Sequence, residues 1–64
     1  MREVSELREL IISVISERYP HLSLNERREI AEILLQYIQF LDESKIEKAN
    51  DLISKNYELL VKIT

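Results

Sequence analysis

The stretch Tyr19-Pro20-His21-Leu22-Ser23-Leu24-Asn25-Glu26 decides the architecture, because it ends one helix and begins another. Proline lacks a backbone N–H and its ring pushes the preceding residue out of the α region, so a helix arriving from the N-terminal side stops at Tyr19. Ser23 and Glu26 then stand at capping-box spacing. The Ser23 hydroxyl can accept from the Glu26 amide, and the Glu26 carboxylate can accept from the Ser23 amide. Between the two signals, Pro20, His21 and Leu22 are left as a short turn, with His21 read as a solvated turn residue.

Upstream, Val4, Leu7, Leu10, Ile11, Val14 and Ile15 recur at spacings of three and four, which predicts a helix over residues 2–18. Arg8 falls inside this apolar face. Its methylenes can cover apolar surface while the guanidinium stays wet, or it can pair with an acid on another helix or subunit. Downstream, Leu24, Ile30, Ala31, Ile33, Leu34, Leu35, Tyr37, Ile38, Phe40 and Leu41 cover about 220° of a helical wheel. Helix 2, over residues 24–41, is therefore nearly surrounded and expected to be central.

Ser44-Lys45-Ile46-Glu47 repeats the capping-box spacing and predicts helix 3 over residues 45–62. The apolar arc changes phase between Leu41 and Ile46. That favours a hairpin over one long fused helix in a swapped dimer. Helix 3 offers Ile46, Ala49, Leu52, Ile53, Leu59, Leu60 and Ile63, with Asn56 set among them. An amide there either fixes register in an association seam or hydrates at its edge.

The expected fold is all-α: one domain over residues 1–64, a small three-helix bundle or a helical hairpin plus an N-terminal helix, associating through a wide apolar face. With 64 residues, such a domain buries only about 60% of its unfolded surface when it folds alone. Small chains are commonly supplemented by disulfides, a structural metal or oligomerisation. The absence of Cys and the single His argue against the first two. The absence of Gly argues against a phosphate-cradling loop, and six serines share a single histidine, which sits in a turn after proline, as a base for nucleophilic chemistry.

The expectation is a non-catalytic protein with no cofactor and no small-molecule substrate, acting as a homo-oligomer, for instance a homodimer, or as an accessory subunit of a larger complex. No leader, lipidation motif or membrane-length apolar run is evident, so the expected location is cytoplasmic and not a membrane. The Ile, Leu, Glu and Lys/Arg bias is compatible with a thermophile. Ile12, Ile33, Tyr37 and Phe40 are expected to form the outward apolar face, with Arg8 and Asn56 giving specificity.

A second reading makes the chain a small nucleic-acid-associated or regulatory protein. Its contacts would be Arg27 and Arg28 at the start of helix 2 and the seven-residue repeat Lys48, Lys55 and Lys62 on helix 3. The net charge of −3 opposes it. So does self-neutralisation, because Asp51 lies four residues before Lys55 and Glu58 four before Lys62.

Overall fold

The computed structural model describes the backbone of residues 2–64 and the side chains of residues 3–64. The order is α1 (Arg2–Arg18), α2 (Leu24–Asp42), α3 (Ile46–Lys55), a single turn α4 (Tyr57–Leu60) and a 3-10 turn (Val61–Ile63). The first connection follows the local chemistry of its sequence. Ser23 is extended (φ −69°, ψ 162°) and both halves of the capping box form, Ser23 N–H to Glu26 Oε1 at 2.9 Å and Glu26 N–H to Ser23 Oγ at 3.1 Å. Leu22 turns inward and is buried, which pins the turn to the core.

The second connection differs from the capping box expected at Ser44. Ser44 takes a left-handed backbone, φ 61°, and ends α2 instead of starting α3. Its N–H donates to Leu41 O at 3.0 Å and the Lys45 N–H to Phe40 O at 2.7 Å. This is the Schellman pair of bonds, which satisfies the last carbonyls of a helix when one residue turns left-handed. Glycine normally fills that position, and the chain has none. The Ser44 hydroxyl is consequently one residue too early to cap α3, and Lys45 stands at that cap without a side-chain bond.

Helix 3 is not continuous to residue 62. Asn56 leaves the helical region (φ −111°, ψ 21°), and its side-chain amide donates back to Leu52 O at 2.8 Å. Its backbone N–H is shared between Leu52 O and Ile53 O, both at 3.2 Å. Asparagine offers the backbone an alternative partner and so favours helix ends over helix interiors. The remaining turns, α4 and the 3-10 segment, form a separate short arm.

Helix α2 is central, meeting α1 along one side and α3 and α4 along another. Pairings such as Arg8 with Glu32 and Arg27 with Ser16 make α1 antiparallel to α2. Phe40 lines a groove with Lys48, and Glu26 pairs with Lys62, so the C-terminal third runs antiparallel to α2 as well. Buried Ile15, Leu22, Ile30, Ala31, Ile33 and Leu60 form the core, and among the described residues Ile30 alone is a large side chain at 0% exposure. Ala49, also fully buried, brings α3 close to α2.

The assembly is a slab, 32 × 30 × 15 Å across its Cα atoms. Its radius of gyration, 11.9 Å, compares with about 11 Å for a chain of this length. Its accessible surface, 4995 Å², exceeds by about 700 Å² the roughly 4300 Å² expected of a monomer of this mass. A three-helix layer only one or two side chains thick has two broad faces and little interior.

Candidate association surface

The exposed apolar surface lies mainly on α1 and the second half of α2. On α1, Leu7, Leu10 and Val14 follow one another at i, i+3 and i+7 and are all exposed, Leu10 at 60%. That spacing makes a stripe along one helix face. Ile38 and Leu41, also exposed, continue the apolar surface on α2. The two stripes join at a shallow groove lined by Val4, Leu7, Leu35, Ile38, Gln39 and Asp42. Helix α1 is left with this open face because it has one neighbour, α2, which covers only the side carrying Ile11, Ile12 and Ile15.

The outward face expected from helix 2 therefore needs correcting. Ile33 is 7% exposed and belongs to the chain's own core, while Ile12 packs against that core. Tyr37 and Phe40 are half-buried, and Phe40 lines the α2–α3 groove with Gln36, Leu52 and Lys55. The physical reason is that α2 spends its wide arc on two neighbours. What reads in sequence as surplus on α2 is the docking side for α3.

The two polar candidates are engaged inside the chain. The half-buried Arg8 guanidinium pairs with Glu32 across the α1–α2 seam, a charge contact without a hydrogen bond in line with its Nε–H. Asn56 closes α3 as described, so its amide is used within its own helix.

Of the five cations considered for nucleic acid, Lys48 and Lys55 line the same α2–α3 groove, and three of the five are engaged within the chain. Arg27 is half-buried and braces the first connection, Nη2 donating to Pro20 O at 2.9 Å and Nη1 to Ser16 Oγ at 3.4 Å. Lys55 pairs with Asp51 at 3.0 Å, at the spacing read from the sequence. Lys62 pairs with Glu26 instead of Glu58, because the break at Asn56 redirects the C-terminal arm toward the start of α2. Arg28 on α2 and Lys48 on α3 are exposed on separate helices.

Reasoning from the sequence missed the clasp at that C-terminal arm. Tyr19 Oη donates to Ile63 O at 2.8 Å, and the Lys62 ammonium reaches the Glu26 carboxylate. The ammonium, assisted by the Ser23 backbone N–H, holds the Glu26 carboxyl at about 2, well below its ordinary 4.5. The only signals were the tyrosine beside Pro20 and a basic residue near the C-terminus, and neither specifies a partner.

Among the described residues, no helix is long and apolar enough to cross a membrane, and no group of three or more His, Asp or Glu gathers as metal ligands. The fold and surface define a class, a small all-α domain with an uncovered apolar face. Comparison with protein-family models, with curated proteins and with solved structures returned no match.

Proposed function

We propose that the chain is a non-catalytic association module, a small cytoplasmic homo-oligomer or the accessory subunit of a larger complex. The observation that carries this reading is the uncovered apolar band formed by Leu7, Leu10 and Val14 on α1 with Ile38 and Leu41 on α2. Contiguous apolar surface of this kind on a soluble domain marks a contact surface. Charged groups around the band would set orientation and rate of encounter more than affinity.

Sedimentation equilibrium at micromolar concentration, with thermal unfolding followed across the same range, tests the self-associating form. The expected result is a mass above the 7.6 kDa chain and a melting temperature that rises with concentration. A cooperative monomer with a concentration-independent melting temperature removes that form. The accessory-subunit form predicts one stoichiometric companion on purification from the native host, lost on Leu10→Glu. Failure of both forms overturns the reading, as does tight binding to duplex DNA that weakens steeply with salt.

A further inference from the structure

We infer that the open α1–α2 face takes a basic amphipathic helix of a partner protein, apolar on one side and carrying Lys or Arg along its flanks. The inference rests on the association reading above, in its accessory-subunit form, and names the chemistry of the partner. Two observations carry it, the shape of the face and the sign of its charge.

The shape suits a helix. From Val4 to Val14 the exposed apolar positions of α1 extend about 15 Å along the axis, or about three helical turns. The groove beside them is lined on its other side by Leu35 and Ile38 of α2, which runs antiparallel to α1. Two antiparallel helices leave a furrow that seats the apolar ridge of a third. Among the described residues there is no strand, so an extended peptide finds no sheet edge to join.

Charge selects the kind of helix. At about 100° per residue, Glu6, Glu17, Leu10, Glu3, Val14 and Leu7 follow one another round α1 in steps of about 20°, so acids and apolar side chains share one face. Asp42 stands on the α2 side of the groove. All four acids are exposed, and none has an ion-pair partner among the described residues. Against these four stands Arg18, one step beyond Leu7 in the last turn of α1. Two copies meeting face to face would bring the acids together whichever way they ran, and anionic lipid headgroups would be repelled in the same manner. Lysines or arginines beside an apolar stripe answer them instead, orienting the partner and speeding its encounter.

Two synthetic peptides of about 18 residues, long enough to hold a helix, test this against the full chain by fluorescence anisotropy. They share one apolar stripe and differ in carrying Lys or Glu on its flanks. At about 50 mM salt the Lys-flanked peptide is expected to bind about tenfold more tightly than the Glu-flanked one, and the gap to narrow at about 500 mM. In the chain carrying both Glu6→Lys and Glu17→Lys the preference is expected to reverse, which a poorly folded variant could not produce. Leu10→Asn is expected to weaken the Lys-flanked peptide about tenfold, whereas Tyr57→Asn, at an exposed site on α4, leaves it unchanged. Equal binding of the two peptides, or no reversal, overturns the charge selection, and binding of neither overturns the occupant. In those cases a stoichiometric companion lost on Leu10→Glu would still uphold the association reading. Self-association of the chain that is lost on Leu10→Asn gives the face to a second copy, and binding to phosphatidylglycerol vesicles gives it to a membrane; either result overturns the inference.

Discussion

Replacing Ser44 by glycine should stabilise the protein. Ser44 holds φ 61° because α2 ends in a Schellman pair of bonds and its sequence supplies no glycine. A left-handed backbone costs a residue with a Cβ about 1–2 kcal/mol. Glycine removes that cost but gains freedom in the unfolded chain, which returns about 0.4–1 kcal/mol. The net gain is about 0.5–1 kcal/mol, or roughly 2–8 °C in melting temperature for a domain of this size.

Far-UV circular dichroism during heating measures this shift, and urea titration at the same protein concentration should move the midpoint without changing the slope. Had Ser44 been the N-cap of α3, glycine would instead destabilise by a few tenths of a kcal/mol. A Ser44→Gly variant that melts at or below the parent therefore refutes the assignment of Ser44 to the end of α2.

Three other perturbations test the interior and the polar contacts. Ile30→Ala, at a large side chain that is fully buried, should cost about 2–5 kcal/mol, and Ile30→Val about 0.5–1.5 kcal/mol in urea titration; a neutral Val variant would deny Ile30 its place in the core. Asn56→Ala should lose the bond to Leu52 O and about 0.5–1.5 kcal/mol with it, while the sedimentation mass stays unchanged; an altered mass would return Asn56 to the association seam. Glu26 has a folded pKa near 2 against 4.5 ordinarily, so its contribution is complete above pH 4.5 and disappears as pH falls toward 2. Carboxyl NMR titration should show that depressed value, Lys62→Met should raise it, and Glu26→Gln should flatten the acid limb of the stability profile.

The parts of the fold legible in sequence are those settled by neighbours along the chain. Pro20 stops α1, and Ser23 with Glu26 starts α2, because each acts within one helical turn. The serine-to-glutamate spacing at Ser44 and Glu47 is the same signal, yet it marks a cap only when the serine is extended, and here the backbone at Ser44 belongs to the preceding helix end. Asn56 was visible as an anomaly within an apolar arc, but the sequence does not tell whether such an amide bonds outward or back to its own helix. Helical spacing gave the width of each apolar face without giving its neighbours. The arc of α2 meets two helices and that of α1 only one, so the open surface passes from Ile33 to Leu10. Arg27 and Lys62 find partners 7 to 36 residues away, beyond any local rule.

The clasp at the C-terminal arm bears on how long the folded state lasts. The Tyr19–Ile63 and Glu26–Lys62 contacts close loops of 44 and 36 residues, whereas turns only a few residues long join α1 to α2 and α2 to α3. Long loops lose more entropy before their contacts repay it, which places this closure late in folding, after the barrier. Interactions formed after the barrier govern escape from the native state and leave the rate of arrival untouched. In stopped-flow kinetics, Tyr19→Phe should therefore speed unfolding while refolding proceeds at the parent rate; slowed refolding would place the clasp in the nucleus. Two polar contacts at the rim of the slab would thus set its native lifetime, and the helical hairpins the speed at which it forms.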